Sequence, residues 1–133
     1  MNAMLKEWAP VVGRIMLALI FLTSGLSKIS GFEGTAGYMA SKGVPLVNIA
    51  LVLTIIIEVG GAAMIILGYK ARIGAAALFL WMIPVTLIMH NFWALPEAAK
   101  QIQMIMFMKN ISMMGGMLLI IAFGSGPKSL KAN

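Results

Sequence analysis

Residues 46–90 read LVNIALVLTIIIEVGGAAMIILGYKARIGAAALFLWMIPVTLIMH, which is two long apolar runs joined by the short segment GYKAR at positions 68–72. Each run is long enough for an α-helix to cross the hydrocarbon core of a bilayer, which takes about 20 residues. A link this short leaves the second helix no path except back along the first. The segment therefore predicts an antiparallel pair of transmembrane helices.

The rest of the chain has the same apolar character. Hydrophobic residues make up 61% of the 133 residues and charged residues only 11%, whereas soluble proteins carry about 25% charged residues. This composition excludes a soluble globule. The predicted fold class is all-α, an integral membrane four-helix bundle of two antiparallel hairpins, forming one transmembrane domain over residues 1–133. The predicted spans cover about residues 8–28, 46–68, 71–90 and 104–123.

The connecting segments determine the predicted orientation. Residues 30–44 are polar and glycine-rich, and residues 90–103 contain Trp93, a residue type that anchors loops at the membrane interface. Four spans place both termini on one side, where basic residues are more frequent, so the positive-inside rule predicts cytoplasmic termini. The basic residues on that side are Lys6, Lys70, Arg72, Lys128 and Lys131, and those in the other loops are Lys42 and Lys100.

The residue types that the chain lacks exclude several kinds of cofactor and metal site. It has no cysteine, no aspartate and one histidine, which excludes disulfides, cysteine-ligated zinc or iron–sulfur clusters, and haem held by two histidines of one chain. The 13 methionines could bind copper(I), but they form no cluster with histidine in the loops, and flexible methionine is typical of packing. No metal site is predicted. No nucleic acid partner is predicted either, because the basic residues form no run or stripe.

Ionisable side chains inside the spans are candidate site residues, because placing one in hydrocarbon costs at least about 2.5 kcal/mol. Glu58 lies near the middle of the second span, and its short side chain cannot reach the interface. Arg14 and Lys109 enter the first and fourth spans from opposite sides, and either could extend to pair with Glu58. The alternatives are that Glu58 only ties helices together and that the two cations are interfacial anchors.

Further polar residues lie where the spans end on the outer side of the membrane. Lys28 closes the first span, with Ser24 on the same helical face one turn earlier. The antiparallel topology brings these span ends together, so their side chains are expected to form one polar group in the outer half of the bundle. The residues that gather there are Lys28, His90, Asn91, Lys109 and Asn110.

The charge of the embedded residues indicates what such a site would bind. Three embedded cations against one carboxylate leave a net charge of +2, which favours an anion, a quinone carbonyl or an acidic partner. Histidine exchanges protons near neutral pH, which suits a quinone site, although a single histidine at an interface can also be a solvated or capping residue. The predicted catalytic residues are Glu58, His90 and Lys109, and the predicted binding residues are Arg14, Lys28, Asn91 and Asn110.

The order and spacing of several short motifs resemble the DoxX family of small bacterial membrane proteins. The similarity covers nearly the whole chain; the order Gly-Ser-Gly-Pro at 124–127 departs from the Gly-Pro-Gly usual there, and the tail after it lacks the acidic ending that the resemblance implies. The matching motifs are Gly13-Arg14, Ala18-Leu19-Ile20-Phe21-Leu22, Ser24-Gly25-Leu26 with Lys28, Tyr38-Met39, Gly43-Val44-Pro45, Glu58 with Gly60-Gly61, Leu67-Gly68 with Arg72, His90-Asn91-Phe92-Trp93, Lys109-Asn110 and Gly126-Pro127.

The resemblance implies a four-helix protein of the bacterial inner membrane. The family takes its name from a small subunit of an archaeal thiosulfate:quinone oxidoreductase, and the resemblance also implies membrane partners of redox or thiol-stress proteins. Most members have no assigned activity. The resemblance therefore implies the fold and the location more directly than it implies a reaction.

Two functions of different classes fit these observations. The first is a subunit or accessory factor of a quinone-linked redox system, in which Lys109, His90 and Asn91 contact the quinone head group and Glu58 relays or balances a proton. The second is a non-catalytic scaffold that recruits or stabilises a partner protein, with structural buried charges. A small transporter or metal-handling protein is a third, less favoured hypothesis. The expected partners are the lipid bilayer and either another protein or a second copy of this chain.

Overall fold

A computed structural model describes residues 2–131, and the regular structure in this range is helical. Four helices are long and apolar enough to cross a membrane, which confirms the predicted all-α, four-span class. The helices are α1 (Ala3–Ser30), α2 (Phe32–Ser41), α3 (Val47–Leu67), α4 (Ala71–Met89) and α5 (Glu97–Phe123). A single 3-10 turn, Phe92–Ala94, lies between α4 and α5.

Two of the long helices extend beyond the apolar runs that predicted them. Helix α1 begins at Ala3 and α5 at Glu97, well before the predicted starts of their spans. The Asn2 side chain caps α1 by accepting a hydrogen bond from the Met4 N–H at 2.8 Å. Pro96 precedes α5, and the negative charge of Glu97 in the first turn is favourable at a helix N-terminus. Hydropathy detects only the apolar part of each helix, so it underestimates the length.

The glycine-rich segment 30–44 was predicted to be a loop, and this prediction was wrong because the segment contains α2. Ala36 and Met39 of α2 are buried together with Leu51 of α3. Burial of this apolar face stabilises a short helix that would be marginal alone, especially with two glycines inside it. The stabilising contact comes from α3, so local composition could not show it.

The long helices pack in the order α1, α3, α4 and α5. Between the first and last of these helices, the Leu17 side chain of α1 reaches α5, where a Cβ atom at Gly116 would lie 3.0 Å from it. Small side chains at the interfaces allow the helix backbones to approach closely, as is typical inside membranes. The buried core consists of Ala18, Phe21, Ala62, Ile65, Ala71, Ala75, Leu78, Met82 and Met117.

Gly61 of α3 lies at the tightest contact with α4, and Gly61→Ala is expected to lower the free energy of unfolding by about 1–3 kcal/mol. A Cβ atom there would lie 2.8 Å from Leu78 Cγ and 3.2 Å from the Gly74 carbonyl oxygen. Gly60→Ala is the matched control, because nothing lies within 4 Å of the Cβ position at this neighbouring glycine. Unfolding in detergent measures both variants, and equal stability would contradict the tight contact.

Both termini of the described chain lie at the same end of the bundle. Lys128 Nζ lies 2.9 Å from Glu7 Oε1 near the start of α1. Residues 124–131, named here the C-terminal tail, return across this end, and the Lys70 N–H in the α3–α4 turn donates to the Lys131 carbonyl at 2.8 Å. That this end is cytoplasmic stays a prediction.

Candidate functional site

A cavity of about 150 Å³ lies between α1, α3, α4 and α5, from the middle of the bundle toward the end opposite the termini. One part of its wall is polar and the other is apolar. The polar residues are Ser24, Lys28, Glu58, His90, Lys109 and Asn110, and the apolar ones are Ile20, Phe21, Leu78, Trp81, Met82, Val85 and Met113. Five of the seven residues singled out from the sequence therefore line one cavity.

An ion pair between α1 and α3 forms the charged part of the wall. Lys28 Nζ lies 2.9 Å from Glu58 Oε1 and also donates to the Ser24 hydroxyl. From the sequence, either Arg14 or Lys109 could pair with Glu58. This expectation was wrong, because the cation beside the carboxylate is Lys28. Glu58 is only 8% exposed, so its charge depends on the Lys28 ammonium group.

The close approach of α1 to α3 explains why Lys28 is the partner. A Cβ atom at Gly25 would lie 2.7 Å from Val59 Cγ2 and 3.1 Å from Glu58 Cβ. Only glycine allows this spacing, and it places Lys28, one turn further along α1, beside the carboxylate. The sequence shows the glycine but not which helix lies against it.

Helix α5 contributes one buried and one exposed polar residue to the cavity. The Asn110 side-chain amide donates to Thr86 Oγ1 of α4 at 3.1 Å, and both residues are buried. The neighbouring Lys109 is exposed, and its Nζ lies 3.3 Å from Met106 Sδ, a weak acceptor. The ion pairs of the described residues do not include Lys109. Its positive charge is therefore the one at this cavity that no carboxylate of residues 2–131 balances.

His90 lies where α4 ends and is tied to the start of α5. Its Nδ1 lies 2.8 Å from Gln103 Oε1. An Nδ1 proton donated to this oxygen leaves Nε2 as the accepting nitrogen of a neutral ring. Gln103 was not among the predicted site residues, because its segment was predicted to be a loop, whereas it lies in the first turns of α5.

Trp81 is a lining residue that was not among the predicted site residues. It lies in the middle of α4, and its indole N–H donates to Thr54 Oγ1 of α3 at 3.0 Å. Tryptophan in transmembrane helices concentrates at the interfaces, and a buried indole N–H needs an acceptor. Its position in mid-span was therefore a signal that could have identified it.

Arg14 and Asn91, two of the predicted binding residues, do not line this cavity. The Arg14 guanidinium donates to the carbonyls of Ser125 and Lys128 in the C-terminal tail, both at 2.9 Å. The Asn91 side-chain oxygen accepts a hydrogen bond from Lys42 Nζ at 3.2 Å. The structure therefore places Arg14 at the end that holds the termini and Asn91 beside the residue that follows α2.

The cavity combines features that suit a small amphipathic ligand. The charges of Lys28 and Glu58 balance each other, so Lys109 leaves a local positive charge that favours an electronegative atom on the ligand. The remaining wall is apolar and partly aromatic. Within residues 2–131 there is no group of three or more histidine, cysteine, aspartate or glutamate side chains that could hold a metal ion.

Comparisons with known proteins place the chain among small membrane proteins. The DoxX family model matches residues 9–91. Inner membrane protein YphA of Escherichia coli (strain K12) is 36% identical over 120 residues, which are 90% of this chain and 86% of YphA. Inner membrane protein YqjF of the same organism is 32% identical over 126 residues, 95% of this chain and 92% of YqjF.

A relative from a eukaryote is also similar over most of the chain. The Surfeit locus protein 4 homolog of Schizosaccharomyces pombe is 26% identical over 127 residues, which are 94% of this chain and 37% of that protein. No solved structure matches this chain.

Proposed function

Because this chain belongs to the DoxX family, as its motifs predicted, and is a multi-pass inner membrane protein, we propose that it is a subunit or accessory factor of a quinone-linked redox system. In this role its cavity binds the ring of a membrane quinone, and the redox centre lies outside the chain. The observation that carries the proposal is the cavity, which has apolar and aromatic walls and presents Lys109, His90 and Glu58 together.

The size and chemistry of the cavity support a ring ligand. A cavity of about 150 Å³ is large enough for one benzene ring, and part of its wall is apolar. A quinone ring has apolar faces and carbonyl oxygens at its edge that need hydrogen-bond donors. The Lys109 ammonium group at the cavity supplies such a donor, and the His90 ring supplies one when both of its nitrogens carry protons.

The residues of the chain have distinct roles in this proposal. Lys109 donates to a carbonyl oxygen and stabilises negative charge on it. His90 exchanges a proton, as histidine does near neutral pH, and Gln103 holds its ring in place. Lys28 and Glu58 form the charged wall, where Glu58 relays or balances a proton. A quinone, when bound, would supply two-electron, two-proton redox chemistry.

Native mass spectrometry of the gently extracted protein is expected to show about one quinone per chain. Lys109→Met should lower this content tenfold or more, because a hydrogen bond to a charged group contributes about 1.5–3 kcal/mol. Glu58→Gln should lower it as well. Lys100→Met is the matched control on the same helix, since Lys100 pairs with Glu97 outside the cavity. Unchanged quinone content in both cavity variants would contradict the proposal.

One observation favours the second candidate, a non-catalytic membrane scaffold. Lys28 and Glu58 are satisfied by each other within the chain, as expected for charges that specify how helices pack. The protein would then retain phospholipid and a partner protein or a second copy, but no quinone, in the native mass spectrum. Lys109→Met would be as unstable as Glu58→Gln, which the quinone proposal does not expect.

A further inference from the structure

We propose that Trp81 recognises the ring of the cavity ligand and that Thr54 is a positioning residue that holds the indole in place for it. This inference rests on the proposed function, because it identifies which part of the cavity contacts a quinone ring. It adds a recognition element outside the charged residues and predicts a preference for flat, aromatic-like rings over aliphatic lipid.

The hydrogen bond of the indole determines what Trp81 can offer to a ligand. Trp81 lines the cavity, whereas Thr54 does not. The indole N–H donates to Thr54 Oγ1 at 3.0 Å, so this donor is already used on the side of α3. The part of Trp81 that borders the cavity therefore provides carbon and π-electron contact and no hydrogen bond. Such contact suits the face or edge of another ring.

Thr54 is arranged to accept this hydrogen bond. Its hydroxyl donates to the Ala50 carbonyl at 2.8 Å, which leaves the lone pairs of its oxygen for the indole N–H. Thr54 is only 5% exposed, so its hydroxyl is held inside the bundle. The indole is therefore held before a ligand arrives, and holding it in advance lowers the entropy lost on binding.

Helix α3 holds both the aromatic and the charged part of the cavity wall in place. Thr54 and Glu58 are one turn apart on the same face of α3. Thr54 holds Trp81 of α4, and Glu58 holds Lys28 of α1. The rise of α3 separates the backbone positions of Thr54 and Glu58 by about 6 Å along the helix axis. This spacing suits a ring whose body lies by Trp81 and whose edge carries a polar atom.

Fluorescence quenching tests the contact directly, since the chain has 3 tryptophans. In the Trp8→Phe/Trp93→Phe double variant, Trp81 is the remaining tryptophan. Titration with decylubiquinone in detergent is expected to quench its emission saturably. In the Trp81→Phe/Trp93→Phe control, where only Trp8 remains, quenching should rise without saturation, because the quinone reaches Trp8 only by collision within the micelle.

Thr54→Val tests the positioning role, because valine keeps the shape of threonine and removes the acceptor. We expect a roughly tenfold weaker Kd for decylubiquinone, a shifted Trp81 emission spectrum, and recovery of both in Thr54→Ser. In a Trp81→Phe background, which has no indole N–H, Thr54→Val should not weaken binding further. This comparison measures the quinone bound to Trp81→Phe with and without Thr54→Val in native mass spectra. It therefore remains decisive if the Thr54→Val single variant folds poorly. An unchanged Kd in Thr54→Val would overturn the positioning role.

The two proposals fail in different ways. If native mass spectra show one quinone per chain but Trp81 is not quenched saturably, the quinone binds away from Trp81; this inference is then wrong and the proposed function stands. If the protein carries no quinone and decylubiquinone gives no saturable quenching, the proposed function is wrong and the inference falls with it.

Discussion

Lys28→Met is expected to lower the free energy of unfolding by about 3 kcal/mol, because it leaves a buried carboxylate without its cation. Glu58 is 8% exposed, and its Oε1 lies 2.9 Å from Lys28 Nζ, so the variant removes the positive charge that compensates the carboxylate. Unfolding of the purified protein in detergent, by heat or by titration with a denaturing detergent, measures the change.

Two controls show whether the loss comes from the buried charge. Lys100→Met breaks the pair with Glu97, whose side chain is 89% exposed, and should cost at most about 1 kcal/mol. Adding Glu58→Gln to Lys28→Met should recover part of the stability, since a neutral amide needs no counter-ion. Equal losses in Lys28→Met and Lys100→Met would show that the Lys28 pair contributes no more than a surface pair.

Arg14→Met is expected to release the C-terminal tail and to lower the free energy of unfolding by about 2–3 kcal/mol. The guanidinium donates to the carbonyls of Ser125 at 2.9 Å, Pro127 at 2.8 Å and Lys128 at 2.9 Å. Methionine cannot replace these charge-assisted hydrogen bonds. Limited trypsin digestion followed by mass spectrometry should show faster cleavage after Lys128 in the variant.

The guanidinium fork, rather than its charge alone, is expected to hold the tail. Arg14→Lys keeps the positive charge but cannot reach several carbonyls at once, so it should protect the tail only partly. Lys6→Met, an exposed change near the start of α1, should leave the cleavage rate as in the unchanged protein. A tail that stays protected in Arg14→Met would show that backbone hydrogen bonds, such as Lys70 N–H to the Lys131 carbonyl, hold it alone.

The variants Lys28→Met and Lys109→Met distinguish the roles of two lysines that look alike in the sequence. Lys28 and Lys109 both line the cavity, but Lys28 is paired with a carboxylate, whereas Lys109 has the Met106 thioether as its neighbour. We therefore expect Lys28→Met to act mainly on stability and Lys109→Met mainly on ligand content. If Lys28→Met instead lowered ligand content and Lys109→Met lowered stability, the roles assigned to the two lysines would be exchanged.

The candidate site could be predicted in part from the cost of polar groups in hydrocarbon. Glu58 and Lys109 stand out because each interrupts an apolar run, and antiparallel topology placed His90 near Lys109. The same reasoning included Arg14, which the structure places with the C-terminal tail. It passed over Trp81, because an aromatic side chain inside an apolar run has no evident cost until its N–H needs an acceptor.

By itself the sequence determined the class of protein, the number of spans and the family. Each span is a local property, because about 20 apolar residues satisfy their own backbone hydrogen bonds as a helix in lipid. Only the tertiary structure decided how the α3–α4 hairpin packs with the other helices and which side chains meet, as in the Lys28–Glu58 pair and the Trp81–Thr54 hydrogen bond. Helix association in lipid depends on close packing and hydrogen bonds between distant residues, such as the contact of Gly25 with Val59, and not on apolar burial. Composition and hydropathy therefore could not reveal how the helices associate.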